Sequence, residues 1–196
     1  MNKKGFTLIE LLAVITIMGI LMLVAIPAVS RTIENSRRDT FADNVVTYLN
    51  TVRNMVLADE LKCGKTVSAG VESWEYANVS GTPDGTYYVK INTNNPITQD
   101  MMESVAKSSW GNSDMVGYVK WVKSEGNTEY FAFMSDVAKH GMAKEQGELN
   151  INRGTIFANI ETQSCPTDSD ANAKCQGATA ASTPADANAK ECTLKY

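Results

Sequence analysis

KKGFTLIELLAVITIMGILMLVAIPAV, residues 3–29, is the stretch of this chain that an ordinary water-soluble domain could not contain. No charged residue lies between Glu10 and Arg31. As a helix rising ~1.5 Å per residue, residues 11–29 alone cover ~28 Å, which matches the ~30 Å hydrocarbon core of a bilayer. The segment is therefore read as a membrane helix. Glu10 is out of place in it, because an ionisable side chain inside an apolar run is expensive unless neutralised or paired, and such residues are usually functional. No base follows nearby in sequence, so its partner has to come from elsewhere.

A cut between Gly5 and Phe6 would supply one. It creates an α-amine at Phe6, and a protonated amine on one subunit can neutralise the Glu10 carboxylate of its neighbour, converting two unfavourable charges into one hydrogen-bonded pair. Repetition of that side-by-side packing builds a polymer. The short Lys-containing leader, then Gly5, Phe6, Thr7, Leu8, Ile9 and Glu10 followed by an apolar helix, resemble the class III signal of type IV pilins and pseudopilins over roughly residues 2–30. The resemblance implies cleavage between Gly5 and Phe6 by a prepilin peptidase and N-methylation of Phe6. It also implies assembly through Glu10 on a platform in the inner or cytoplasmic membrane, into a homo-oligomeric filament on the cell surface. Gly19 and Pro27 resemble positions between which pilin helices locally unwind in the filament.

Competing readings explain less of the stretch. A secretory signal peptide would account for the basic Lys3 and Lys4 and for a small-residue site at Ala28-Val29-Ser30, but its apolar region should run only 7–15 residues and carry no acid near its start. A plain anchor leaves Glu10 and the Gly5-Phe6 pair without a reason.

With 196 residues, 43% hydrophobic and 20% charged, the chain has room for one membrane helix and one modest domain. Losing Met1–Gly5 removes Lys3 and Lys4 and takes the net charge from −4 to −6, which weakens nonspecific attraction to nucleic acid and anionic lipid. No specific nucleic-acid contact is evident. Four cysteines, all beyond the apolar segment, suit two disulfides in an oxidising compartment and place the bulk of the chain outside the cytoplasm. One signal opposes that topology, since Lys3 and Lys4 on the inner side face Arg31, Arg37 and Arg38 on the outer. Large following domains translocate largely regardless of such charges.

Past Pro27, Ile33, Phe41, Val45, Tyr48, Leu49, Val52 and Val56 recur at three- and four-residue steps, so the helix is expected to continue as an amphipathic half over residues 31–62. Gly64 is its expected C′ residue. Strands are expected at Trp74–Val79 and Thr86–Ile91 around a Pro83-Asp84-Gly85 turn, and a short helix over Pro96–Ser109. A hairpin follows from Met115–Val122 and Thr128–Met134, with further strand at Leu149–Ile151 and Thr155–Ile160. The fold class expected is α+β, a long helical spine packed on an antiparallel sheet head, as in a pilin. The expected divisions are leader 1–5, membrane or filament-core helix 6–30, amphipathic half-helix 31–62, head 63–161 and a polar, cysteine-containing region 162–196.

That last region is rich in Ala, Asp, Asn, Thr and Ser and repeats Asp-Ala-Asn-Ala-Lys at 170–174 and 186–190. It buries too little to offset its ordering entropy, so disulfides are its expected restraint. Of the three pairings open to four cysteines, Cys165 with Cys175 and Cys63 with Cys192 are favoured, the second joining the chain end to the base of the head.

Catalytic chemistry finds little to build on. His140 is the single histidine and is read as a surface residue beside Lys139 and Gly141; no phosphate loop or zinc-protease motif occurs. Asp168–Asn172 matches the first ligands of a calcium loop, but Ala173 replaces its turn glycine and Thr179 its bidentate acid. No catalytic residue, metal or cofactor is assigned. The function expected is that of a structural filament subunit; the alternatives are a pseudopilin of a secretion or DNA-uptake system and a monomeric membrane-tethered binding domain.

Overall fold

One helix, α1, runs unbroken from Leu8 to Leu57 and changes character along its length. The computed structural model describes residues 7–92, 107–111, 114–136, 140–160, 183–184 and 186–195. Leu8 to Ile33 present their apolar side chains outward, whereas Phe41, Ala42, Val45, Tyr48, Leu49, Val52 and Met55 are buried. The buried set advances by one, three and three residues, which lines a single helix face. The residues up to Arg37 fall in one unit and those from Arg38 onward in a second.

The buried face of α1 joins the core of a mixed sheet whose strands are β1 Leu61–Ser68, β2 Val71–Tyr76, β3 Gly85–Ile91, β4 Met115–Ser124, β5 Asn127–Asp136, β6 Gly141–Met142, β7 Gln146–Gly147, β8 Ile156–Phe157 and β9 Lys190–Leu194. Their order is β2-β1-β9-β3-β4-β5-β6-β8, with β7 also pairing with β5. The fold is thus α+β with the amphipathic helix packed on the sheet, as expected. One pair departs from the all-antiparallel expectation: β9 enters between β1 and β3 and runs parallel to β3, with Tyr87 opposite Lys190 and Val89 opposite Cys192.

The helix stops earlier than Gly64, and by another device. Asp59 takes φ +58, the amide of Glu60 donates to Met55 O (3.0 Å) and that of Asp59 to Val56 O (3.2 Å). This is the paired-bond ending that usually recruits glycine at C′; aspartate, one of the few other residues tolerant of αL, fills it here. The Asp59 carboxylate accepts from Ser80 N (2.9 Å) and Oγ (3.1 Å), and the Ser80 amide holds its pKa below the ordinary carboxylate value. Gly64 instead lies inside β1 at φ +78, where an added Cβ would stand 2.8 Å from Glu75 Cβ. Beyond it β1 leaves β9 and continues paired with β2 alone.

The hairpin expected in the middle of the head is present and longer, β4 and β5 pairing from Met115–Asp136 to Ser124–Asn127. Its loop is only Glu125-Gly126, both at positive φ (48° and 83°), the I′ geometry that matches strand twist. The segments around Pro83-Asp84-Gly85 do not form a hairpin with each other: β2 pairs with β1, and β3 with β4 and β9. Leu149 falls in a 3-10 turn, Glu148–Asn150, rather than in a strand, and only Ile156–Phe157 of the final expected strand pairs. Most of the helix expected over Pro96–Ser109 lies outside the described residues, while Lys107 makes a bridge to Asp114.

Candidate assembly segment

At the start of α1, Thr7 and Glu10 close on each other. The Thr7 amide and Oγ1 donate to Glu10 Oε2 (2.7 and 2.8 Å), and the Glu10 amide donates to Thr7 Oγ1 (3.3 Å). Threonine at N-cap and glutamate at N3 make a reciprocal capping box, which satisfies amide groups that a helix start otherwise leaves without partners. That gives Glu10 a local role the composition reading did not assign, although Thr-x-x-Glu ahead of an apolar run is its signature in the sequence. Glu10 Oε1 takes part in none of these bonds. Gly5 and Phe6 lie outside the described residues.

From Leu11 to Val29 the helix exposes large apolar side chains around its whole circumference, and it is long and apolar enough to cross a membrane. Gly19 has open space where a Cβ would stand. Pro27 sits inside the continuous helix, and because it has no N–H, Leu23 O lacks its usual donor four residues on. Thr16 and Thr32 return their hydroxyls to Ala13 O (2.8 Å) and Ala28 O (3.1 Å), as hydroxyls in an apolar setting do. Between Gly19 and Pro27 the helix is continuous.

In the second unit, Cys63 and Cys192 face each other across β1 and β9 with Cα atoms 4.1 Å apart and are joined by a disulfide. Cys165 and Cys175 lie outside the described residues. His140 is no lone surface residue. Its Nδ1 lies 2.6 Å from Asp136 Oδ2, its amide donates to Asp136 Oδ1 (2.8 Å), and its ring stacks on Trp110 at 4.8 Å. Ser108 Oγ completes the set by donating to the buried Asp136 Oδ2 (2.8 Å). The hydroxyl reaches the carboxylate rather than the imidazole, so the arrangement is a clasp between loops and lacks the nucleophile-to-base contact of a hydrolytic triad. Among the described residues no group of three or more His, Cys, Asp or Glu side chains is placed to hold a metal.

The beginning of the chain bears on its kinship. Residues 1–26 match the prokaryotic N-terminal methylation motif. That motif is the class III prepilin signal of type IV pilins and pseudopilins, and its family is structural rather than enzymatic. No curated protein and no solved structure matches the chain. The prepilin signal, the apolar helix it opens and the disulfide-closed head support kinship with type IV pilin-like or pseudopilin-like proteins. The same signal fits a membrane-anchored precursor handled by a prepilin peptidase.

Proposed function

We propose that this chain is the precursor of a type IV pilus-like filament subunit, cleaved between Gly5 and Phe6, methylated at Phe6 and polymerised through its first helix. The observation that carries the reading is an acid, Glu10, held within the matched prepilin signal at the head of a helix whose apolar surface is exposed on every side. Such a surface is covered by lipid in the precursor and by copies of itself in a filament. Glu10 keeps one carboxylate oxygen outside the capping box, which can accept the Phe6 amine of a neighbouring subunit. The head lies outside the cytoplasmic membrane before assembly and decorates an extracellular filament afterwards. Local unwinding between Gly19 and Pro27 would adjust axial spacing between subunits.

The test compares wild type, Gly5→Val and Glu10→Leu in cells lacking any other copy, scoring membrane abundance, the amino-terminal residue and sheared surface filaments. Gly5→Val is expected to accumulate as uncut precursor. Glu10→Leu is expected to insert and be cleaved to Phe6 yet give no filaments, because the Phe6 amine stays uncompensated among apolar helices. Normal filament yield from Glu10→Leu would reject the pairing, and a mature terminus other than Phe6 would reject the processing.

A further inference from the structure

Past Gly64, β1 and β2 form an arm in which residues 66–73 are all exposed. A two-stranded ribbon is marginal alone, and this one is held by its own cross-strand contacts. Lys65 Nζ meets Glu72 Oε1 at 2.5 Å, Thr66 Oγ1 meets Ser73 Oγ at 2.6 Å, and Ala69-Gly70 turn the chain at φ 51° and 82°. Its tip is apolar. Val67 is 63% exposed and Val71 68%, and the register puts them on opposite faces, Val67 beside Glu72 and Val71 beside Ser68. A flat surface could cover only one of them; a hollow can take both.

The head offers such a hollow at its other side. Arg53, Tyr130, Phe131, Gly147, Glu148 and Leu149 line a cavity of about 390 Å³. The Arg53 guanidinium stacks over the Tyr130 ring at 4.7 Å and binds both Glu148 oxygens, Nη1 to Oε1 at 2.8 Å. Leu149 stands at its rim 96% exposed. Among the described residues of the second unit, Leu57, Val67, Val71 and Leu149 are the large apolar side chains left mostly exposed, so three of the four belong to the arm tip or to this hollow.

We infer that the arm tip, Val67–Val71, docks into the Arg53–Tyr130–Leu149 hollow of a second copy of this chain, a head-to-head contact along the filament that rests on the reading proposed above. The arm sits at one end of the sheet and the hollow against β5 and β7, five strand positions away, or ~24 Å at ~4.8 Å per strand. Two different surfaces set that far apart can join head to tail, and where the rotation between copies does not close, such a contact propagates into an open polymer. The charges agree with a copy as occupant. The Lys65–Glu72 pair flanks the valines as the Arg53–Glu148 pair flanks the leucine, so each cation has an anion to meet across the joint.

The test places the photocrosslinker p-benzoylphenylalanine at Val67 and irradiates sheared filaments. Adducts mapped by mass spectrometry are expected within residues 128–131 or 147–150 of another copy. In parallel, Val67→Thr with Val71→Thr, which keeps strand-favouring branched side chains, and Leu149→Gln are each expected to leave cleavage to Phe6 and head melting unchanged while lowering filament yield at least tenfold. Combining them should cost little more than either alone, since both remove one contact. Adducts elsewhere in the chain or on a different protein, or no adduct in filaments that form, would overturn the contact while leaving the filament reading intact. Wild-type yield from the threonine variant would overturn it too. If the wild-type chain itself forms no filament, the filament reading falls and this contact with it.

Discussion

Replacing Cys63 and Cys192 together by alanine opens a loop spanning 129 residues. Alanine is the right probe because both positions are buried, at 0% and 1% exposure, where serine would add the cost of an unpaired hydroxyl. In the chain-entropy account, closing a loop that long restricts the unfolded chain by roughly 17 cal/mol/K, or about 5 kcal/mol at 25 °C. That is comparable to the whole stability of a marginal domain. For the second unit it corresponds to a fall in melting temperature of roughly 10–20 °C. The assay is unfolding of the detergent-solubilised chain by near-ultraviolet circular dichroism, since all three tryptophans, Trp74, Trp110 and Trp121, lie in the head. Urea titration adds an independent reading, because an unfolded chain freed of the link exposes more surface and raises the denaturant slope. A melting shift under about 3 °C with an unchanged slope would refute the reasoning and mean that the β1–β9 pairing holds without its covalent tie.

Tyr48 is fully buried, its hydroxyl has no partner among the described residues, and burial together with the charge of Asp114 pushes its pKa up to about 12. Its folded pKa exceeds the unfolded value of about 10, so its contribution is complete below pH 10 and is lost as pH rises toward 12, by about 2–3 kcal/mol; Tyr48→Phe should flatten alkaline unfolding curves over that window and cost little at pH 7. Gly117→Ala would put a Cβ 2.0 Å from Phe133 O, and because β4 and β5 would have to separate there, a loss of more than about 3 kcal/mol in urea unfolding is expected. Asp136→Ala removes the acceptor of both the Ser108 hydroxyl and the His140 amide and should cost about 2–4 kcal/mol, with loss of the His140–Trp110 stack visible in tryptophan fluorescence.

What could be read from the sequence follows the range of the forces involved. The apolar run to Val29 and the three- and four-residue steps from Phe41 to Val52 are local patterns, and both elements formed where expected. The β4–β5 hairpin was legible because its aromatic and branched strands flank one short loop. The helix end was not: Gly64 has the φ freedom of a C′ residue, yet Asp59 takes that place because Ser80 and Lys195, distant in sequence, bind its carboxylate and carbonyl. The partners of β2 and β3 are not legible for a related reason, since the Pro83-Asp84-Gly85 turn fixes a bend but not which strand lies beside it. His140 looks solitary in the sequence because Asp136, four residues back, and Trp110, thirty residues back, meet it only in the folded chain. Thr7 is legible as a local partner of Glu10 from its capping-box spacing, and it occupies only one of the two carboxylate oxygens.

The position of β9 bears on how the head is made. β1 and β3 are separated in the sheet by a strand that follows them by about a hundred residues, so a chain emerging amino terminus first can build β3–β4–β5 and the β1–β2 arm but leaves a slot between them. Both flanking edges then offer unpaired amides and carbonyls, the surface on which stray strands add, until Lys190–Leu194 arrives to fill it. Long-range pairing of this kind is slow, and here the strand that must travel farthest also carries Cys192. The covalent bond to Cys63 therefore works as a latch on the last joint to close: an oxidant acting before β9 is seated would trap the thiol with a wrong partner, and one acting after would lock the slot against intruders.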